Sequence, residues 1–313
     1  MRVVFFGTGD FGLPSLEILN KAYSLVAVVS TPDKPSGRKL KTQPSPVKQW
    51  AMERDIRCLD YSKDDLSALP ASLKELRPDL LVVIDFGGIL KPDFLTLPRL
   101  YALNIHASLL PKYRGASPMQ QSLLNGDNET GISVIRMVER LDAGDVLLQK
   151  KTVLGPDENI LQLKTRLSIL GAEALAEAVG AIERGNAHFT VQQEDRASYA
   201  KKISKADGKI DWNMPAARLH DRVRAFLGWP GCYFFFKGKR ILVWKSRVAL
   251  SGVPDGAKKP GIVQNVSGAN GLLVAAGDGS SLFLEELQLE AKKPLSWKDF
   301  SKGFSIQAGD IFE

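Results

Sequence analysis

Two short polar segments of this 313-residue chain carry side chains suited to acid–base work on a carbonyl group. In the first, Asn104 and His106 lie two residues apart, so in an extended strand both side chains point to the same face. The second is the loop 139–145, which contains Asp142. A carboxylate beside an imidazole favours its charged form and fixes its orientation, which suits a group that moves protons. Asn104, His106 and Asp142 are therefore the candidate catalytic residues.

Each of these residues also has an ordinary interpretation. A lone histidine near a strand end is often satisfied by its neighbours, and an aspartate in a polar loop is often a turn residue. The choice depends on whether the surrounding elements bring the two loops together.

The first half of the chain alternates short apolar runs with helical patterns, which is typical of a parallel sheet with crossover helices. The predicted strands cover Val3 to Phe6, Leu25 to Ser30, Leu80 to Ile84, Ala102 to Ile105 and Gly131 to Met137. The predicted helices cover Leu13 to Asn20, Ser45 to Glu53, Pro118 to Asn125 and Ile160 to Arg184. In an open parallel sheet, reacting groups collect beyond the carboxyl ends of the strands. We therefore expect both polar loops to face one cleft.

Chain length and a change of pattern predict two domains, since a domain typically has about 100 to 200 residues. We expect a first domain over residues 1–190, a polar and basic linker over 191–205, and a second domain over 206–313. The second domain has one helical stretch followed by five short strands punctuated by glycine, which favours a small, partly open barrel. The predicted fold class is α/β, with a doubly wound, mainly parallel sheet followed by a small β-barrel.

Composition narrows the class of protein. Cys58 and Cys232 lie far apart without a partner motif, so the sequence supports neither a disulfide framework nor a zinc site. No run approaches the roughly 18 apolar residues of a membrane span, and the N-terminus lacks signal-peptide features, so we expect a cytoplasmic protein with no membrane partner. The net charge of +7 raises the chance of a polyanionic ligand such as nucleic acid.

The segment from Gly7 to Gly12 fits the G-x-G-x-x-G pattern of dinucleotide-binding proteins. That fingerprint also requires an acidic residue at the end of the second strand, and here the chain passes Thr31 and Pro32 before it reaches Asp33. We therefore interpret the glycines as a tight strand-to-helix turn, and a nicotinamide oxidoreductase is the rival hypothesis for this motif.

The catalytic candidates belong to a longer pattern that resembles the folate-dependent formyltransferases. Asn-x-His is followed by Ser-Leu-Leu-Pro, by the pair Arg114-Gly115 and later by Asp142-x-Gly. The basic segment 31–48 resembles the loop peculiar to methionyl-tRNA formyltransferases. Ile210-Asp211-Trp212, Arg224-Ala225-Phe226 and Trp229-Pro230 resemble the second domain of that family. The similarity covers nearly the whole chain.

The resemblance implies a doubly wound formyl-transfer domain and a C-terminal barrel of the oligonucleotide-binding type. We expect the protein to be a monomer. The resemblance also implies that 10-formyltetrahydrofolate donates a formyl group to the methionine amine of initiator methionyl-tRNA, with no metal. Asn104 and His106 would hold the oxyanion while Asp142 orients the imidazole. The implied folate contacts are Ser108, Leu109, Leu110 and Pro111, with the pterin near Phe86, Gly87 and Leu90. The implied tRNA contacts are Arg38, Lys39 and Lys41.

Five positions depart from the usual pattern of this family: Gly9, Gly12, Asp85, Phe86 and Gly88. They leave the detailed shape of the pterin pocket open. The sequence is also compatible with a sugar-nucleotide formyltransferase, a purine-pathway formyltransferase, a deformylase, and a non-catalytic tRNA-binding relative. The basic loop argues against the first three.

Overall fold

The computed structural model describes residues 1–36, 41–62, 69–88, 90–249, 259–266 and 271–313. The chain forms two compact units. Unit 1 comprises Met1–Pro118, Glu129–Val153 and Lys164–Ala200, and unit 2 comprises Met119–Asn128, Leu154–Leu163 and Lys201–Glu313. Residues 191–200 of the expected linker thus belong to unit 1. The division into domains 1–190 and 206–313 stays a prediction.

The first part of the chain contains eleven described strands and six described helices. The strands are β1 (Arg2–Gly7), β2 (Ser24–Ser30), β3 (Lys34–Ser36), β4 (Lys41–Gln43), β5 (Cys58–Asp60), β6 (Leu80–Ile84), β7 (Tyr101–His106), β8 (Arg114–Gly115), β9 (Glu129–Arg136), β10 (Val146–Val153) and β11 (Tyr199–Ala200). The helices are α1 (Leu13–Ala22), α2 (Pro46–Met52), α3 (Leu69–Glu75), α4 (Pro92–Leu95), α5 (Pro118–Leu124) and α6 (Ile160–Glu183).

Seven of these strands form one sheet in the order β10-β9-β7-β6-β1-β2-β5. The five strands β5, β2, β1, β6 and β7 pair in parallel, which confirms the predicted mainly parallel sheet. Strand β6 is buried along its whole length, as expected for a parallel sheet covered on both faces. Residues that share a buried cluster on the sheet include Val4, Phe6, Val29, Leu81 and Phe94.

The strand predicted over Gly131 to Met137 runs against the others. Strand β9 is antiparallel to β7, with Leu103 opposite Arg136 and His106 opposite Ser133, and it continues as an antiparallel hairpin into β10. Our expectation that it belonged to the parallel set was wrong. The apolar pattern identifies a buried strand but contains no information on direction, because either direction buries the same side chains.

Unit 2 contains an antiparallel half-barrel sheet. Its elements after residue 201 are α7 (Ala216–Ala225), β12 (Cys232–Phe236), β13 (Lys239–Val248), β14 (Val263–Asn265), β15 (Leu272–Ala275), β16 (Ser281–Leu289), β17 (Leu295–Ser296) and α8 (Trp297–Gly303). The strand order is β12-β13-β16-β15-β14, and β17 pairs with β16. All five predicted strands of this region are present, and buried positions alternate along β12 as in a sheet with one covered face.

A buried arginine joins the separate segments of unit 2. Arg224 forms an ion pair with Asp221 at 2.8 Å and donates to the carbonyl oxygens of Leu123 and Glu158 at 3.3 and 3.2 Å. These carbonyl groups belong to the two short segments that precede residue 201 in the chain. Arg224 belongs to the Arg-Ala-Phe sequence that resembles the second domain of the family. Its hydrogen bonds and ion pair hold the segments of unit 2 together.

Candidate active site

The three candidate catalytic residues lie together in unit 1. Asn104 and His106 occupy the end of β7, and Asn104 Nδ2 donates to Asp142 Oδ1 at 3.3 Å. His106 Nδ1 lies 3.6 Å from Asp142 Oδ2, and the side chains of the histidine and the aspartate are only 6% and 10% exposed. One carboxylate therefore contacts both polar side chains of the strand, which point to the same face as their spacing predicts.

Asp142 reaches this position by a route that the sequence did not predict. Because β9 is antiparallel to β7, its end lies beside the beginning of β7, and Met137 N donates to Ala102 O at 2.8 Å. The loop between β9 and β10 then turns back until Asp142 meets Asn104 and His106. The expectation based on parallel strand ends was thus wrong, although it led to the correct neighbours.

The loop that carries Asp142 needs unusual backbone geometry. Asp142 itself has a φ of +50°, a left-handed conformation that aspartate tolerates better than most residues. At Gly144, a Cβ atom would lie 1.7 Å from the carbonyl oxygen of Arg136. Glycine is therefore required at 144, which explains the Asp-x-Gly sequence in terms of space.

The hydrogen bonds of His106 identify the state of its two ring nitrogens. Nε2 lies 2.9 Å from the carbonyl oxygen of Tyr113, and a carbonyl only accepts hydrogen bonds. Nε2 must therefore carry a proton. The other ring nitrogen, Nδ1, faces Asp142. The backbone N–H of Gly115 donates to Asp142 Oδ2 at 2.8 Å and helps to hold the carboxylate in place.

The segment expected to contact folate is fixed by hydrogen bonds to β9 and β10. Ser133 Oγ donates to Ser108 O at 2.7 Å and accepts from Leu110 N at 3.0 Å, while Gln149 donates to Leu110 O at 2.9 Å. Ser108 is fully buried and its hydroxyl donates to Lys112 O at 2.6 Å.

The side chains in this segment divide into two pairs. Ser108 and Leu110 are buried, whereas Leu109 and Pro111 retain exposed surface. A ligand could therefore touch Leu109 and Pro111 directly, and the other two residues support the turn.

The segment expected near the pterin follows β6. Phe86 packs edge-on against Phe6 and Tyr61, with ring centroids 5.5 and 5.0 Å apart. Gly87 N donates to Thr8 Oγ1 at 3.3 Å, and Leu90 is partly buried against the same cluster. These contacts join the loop after β6 to the turn after β1.

The departures from the family pattern fit one another in space. A Cβ atom at Gly9 would lie 1.9 Å from a carboxylate oxygen of Asp85, so the aspartate occupies the volume that a side chain at position 9 would need. A Cβ atom at Gly88 would lie 2.8 Å from the rings of Phe86 and Tyr61. Gly9 therefore leaves room for the Asp85 side chain, and Gly88 leaves room for the rings of Phe86 and Tyr61.

Only part of the expected tRNA loop is described. Arg38 and Lys39 lie outside the described residues, and Lys41 begins β4, which pairs with β3. The root of this loop is held by Lys48, whose ammonium group lies 2.7 Å from Asp33 and 2.9 Å from Asp60. Lys48, the last basic residue of the segment 31–48, is therefore committed to these two carboxylates.

Sequence reasoning missed a second layer of polar residues behind Asp142. Arg114 is fully buried, donates twice to Gln192 Oε1 at 3.0 and 2.8 Å, and forms an ion pair with Glu194 at 2.9 Å. The guanidinium of Arg114, followed by that of Arg140, lowers the pKa of Glu194 to about 2. Gln192 and Glu194 lie in the polar stretch that predicted a linker. The only feature that could have indicated Gln192 and Glu194 is the general rule that a buried arginine such as Arg114 needs polar partners.

Among the described residues, no group of three or more histidine, cysteine, aspartate or glutamate side chains could hold a metal ion. The helices in the described part of the chain include none with the length and apolar character to cross a membrane.

Comparison with known protein families identifies the family to which the chain belongs. The pattern of the formyl transferase family matches residues 1–179, and that of the formyl transferase C-terminal domain matches residues 202–305. The chain belongs to the formyl transferase family, and it is a formyl-transferring enzyme.

Within that family, the chain groups with the methionyl-tRNA formyltransferases. The methionyl-tRNA formyltransferase of Geotalea daltonii is 40% identical over 99% of this chain and 97% of its own length. The resemblance that the motifs suggested is thereby confirmed.

Solved structures share the fold. A sugar 3N-formyl transferase in the presence of dTDP and 5-N-formyl-THF has a TM-score of 0.67 at 18% identity, and covers 94% of this chain and 99% of its own. A methionyl-tRNA formyltransferase from Clostridium thermocellum has a TM-score of 0.54 at 14% identity, and covers 80% of this chain and 94% of its own. At these identities the likeness supports the architecture alone.

Proposed function

We propose that this enzyme transfers the formyl group of 10-formyltetrahydrofolate to the free amino group of methionine on initiator methionyl-tRNA. The product, N-formylmethionyl-tRNA, serves translation initiation in the cytoplasm, and the enzyme acts as a monomer. The observation that carries this proposal is the 40% identity with a methionyl-tRNA formyltransferase over nearly the full length of both chains.

Asn104 and His106 are proposed to stabilise the oxyanion that forms when the amine attacks the formyl carbon. One N–H of the Asn104 amide points to Asp142 Oδ1, which leaves its second N–H for the developing negative charge. Nε2 of His106 is committed to Tyr113 O, so Nδ1 is the nitrogen that faces the reaction. A placed donor of this kind typically contributes about 3 to 4 kcal/mol to the stability of the transition state.

Asp142 is proposed to hold the imidazole and to stabilise its protonated form. In the reaction a bond forms between the amine nitrogen and the formyl carbon, and the bond from that carbon to N10 of the folate breaks. One proton leaves the amine and one proton is delivered to N10, so the enzyme ends the cycle unchanged. The imidazole beside Asp142 can relay this proton through Nδ1.

A folate-derived donor agrees with the solved relative that was obtained in the presence of 5-N-formyl-THF. We assign contact with the donor to Leu109 and Pro111, whose side chains retain exposed surface, and to the loop of Phe86, Gly87 and Leu90. Ser108 and Leu110 would act by supporting the turn.

Recognition of tRNA is proposed for the basic loop and for unit 2. Arg38, Lys39 and Lys41 would contact the phosphates of the acceptor arm, since lysine and arginine bind phosphate with release of counterions. The ion pairs of Lys48 with Asp33 and Asp60 support the proposal, because a segment whose ends are fixed loses less conformational entropy on binding.

The direct test is to incubate the purified protein with 10-formyltetrahydrofolate and methionyl-tRNA carrying labelled methionine, and to quantify labelled formylmethionine after deacylation. We expect product in proportion to enzyme. A preparation that binds methionyl-tRNA but forms no product would contradict the proposal and favour a non-catalytic tRNA-binding relative.

A further inference from the structure

The segment that follows residue 190 contributes directly to the geometry of Asp142. Gln192 is 6% exposed, and its amide nitrogen donates to two carbonyl oxygens of the aspartate loop, that of Asp142 at 2.8 Å and that of Gly144 at 2.7 Å. A single side chain thus bridges the backbone of the loop directly after Asp142, the residue with positive φ. Such a conformation is costly for a non-glycine residue and persists where neighbours hold it.

The orientation of the Gln192 amide is fixed by charge. Arg114 has only donors, and two of its N–H groups lie 3.0 and 2.8 Å from the side-chain oxygen of Gln192. The amide nitrogen must then face the two carbonyl groups of the loop. An arginine that is fully buried is held in turn by both oxygens of Glu194, at 3.1 and 2.9 Å.

The same segment also supports the contact on the other side of Asp142. Strand β11 pairs with β8, where Arg114 N donates to Ser198 O at 2.8 Å and Ala116 N donates to Ala200 O at 3.0 Å. The residue between them, Gly115, donates its own N–H to the Asp142 carboxylate. Residues 192–200 therefore hold both the backbone of Asp142 and the donor to its side chain.

We infer that residues 192–200 form part of the active site, and that Gln192 is a positioning residue which sets the place of Asp142 between Asn104 and His106. This inference rests on the proposed function. The enzyme's acid–base group would depend on a segment outside β7, the strand that carries Asn104 and His106.

Substitution of Gln192 by glutamate gives the sharpest variant. A carboxylate keeps the size of the side chain and the attraction to Arg114, but it places an oxygen without a hydrogen opposite two carbonyl oxygens. We expect the Gln192→Glu enzyme to retain its cooperative melting transition. Its kcat should fall by about 10- to 100-fold, as is typical for residues that orient a catalytic group. The KM values for both substrates should change by much less. Gln49→Glu, at an exposed position in α2, makes the same chemical change away from residues 192–200; it is the matched control and should keep the wild-type kcat.

A double-mutant cycle separates positioning from general support of the fold. If Gln192 acts through Asp142, then Gln192→Glu should cost little in kcat when it is added to Asp142→Ala, measured in single turnovers with enzyme in excess. An equal loss of kcat in both backgrounds would overturn the inference. A Gln192→Glu protein without a cooperative melting transition would overturn it too, since a positioning residue leaves the fold intact. If the wild-type enzyme itself gave no formyl transfer, the proposed function would fail rather than this inference.

Discussion

At the scale of single residues, the imidazole of His106 has one nitrogen tied to the backbone and one turned to a carboxylate. The Tyr113 carbonyl fixes the proton on Nε2, and Asp142 lies 3.6 Å from Nδ1, which is beyond hydrogen-bond distance but within reach of an ion pair. Asp142 therefore faces Nδ1 without a direct hydrogen bond to it.

We expect His106→Ala to lower kcat for formyl transfer by about 10²- to 10⁴-fold, the range for a placed acid–base group, while the Kd for methionyl-tRNA stays within a factor of two or so. Initial rates and filter binding measure the two quantities. His188→Ala is the control, because that histidine lies away from the strand end, between α6 and the polar segment that follows it. A His106→Ala enzyme with substantial activity would show that the role assigned to this residue is wrong.

Glu194 predicts a dependence of stability on pH. Its pKa is lowered from 4.5 to about 2 in the folded chain, chiefly by Arg114. The ionised carboxylate is therefore more stable in the folded state than in the unfolded state. A lowered pKa gives stability that is fully present above the unfolded value and is lost as pH falls through the folded value. The extra stability should therefore be constant above about pH 5.5 and disappear between about pH 4.5 and 2.

The measurement is the difference in free energy of unfolding between the wild-type protein and Glu194→Gln, from denaturant titrations at several pH values. Glu139→Gln, at another exposed position, is the control. A difference that stayed the same from pH 7 to pH 3 would contradict the ion pair with Arg114.

At the scale of elements, the β9–β10 hairpin determines where the carboxylate of Asp142 lies. Gly144 approaches the carbonyl oxygen of Arg136 too closely for any Cβ atom. We expect Gly144→Ala to push the loop away and to lower kcat by about 10²-fold, because misplacement by about 1 Å has effects of that size.

Steady-state kinetics and thermal melting together measure this effect. The control is Gly303→Ala at the end of α8, where an added Cβ atom would meet open space. Wild-type kcat in Gly144→Ala would mean that the position of this loop is unimportant for transfer.

Much of the element map could be predicted because it depends on local pattern. The periodicity of apolar residues located β1, β2, β6 and β7 to within one residue at each end, and it also indicated the five half-barrel strands of the second domain. Among the strands that were missed, β8 and β11 are two residues long and exist because distant segments pair. Strand β10 was missed as well, and although it has eight residues, none of them is buried.

Of the candidate site, only the residues that a local pattern places together could be predicted. Asn104 and His106 are two residues apart in sequence, so spacing suffices to place them on one face. The bridge from Gln192 to Asp142 joins residues 50 positions apart and depends on a buried Arg114, which no local pattern announces.

At the scale of the whole molecule, we propose that the choice of acceptor depends on basic residues such as Arg38, which lie far along the chain from Asn104, His106 and Asp142. Arg38→Ala should raise KM for methionyl-tRNA and leave KM for 10-formyltetrahydrofolate unchanged. Each lost phosphate contact should make the plot of log kcat/KM against log salt less steep by about 0.9. Lys21→Ala, an exposed basic residue in α1, removes the same charge outside the loop and serves as the control.

An unchanged salt slope in Arg38→Ala, with unchanged KM for tRNA, would show that this loop does not contact the acceptor arm. A loss that was equal in Lys21→Ala would instead indicate that only the overall positive charge matters.

The fold alone does not identify the acceptor, because a sugar formyl transferase matches it with a TM-score of 0.67, whereas the identity over the full length favours methionyl-tRNA. A competition assay is the most direct test: the enzyme is given 10-formyltetrahydrofolate together with methionyl-tRNA and a dTDP-linked amino sugar, and both formylated products are quantified. We predict a kcat/KM for methionyl-tRNA at least about 10³-fold above that for the amino sugar, since the wrong acceptor would leave the site's polar groups unpaired. Equal or greater formylation of the sugar would contradict the proposed function.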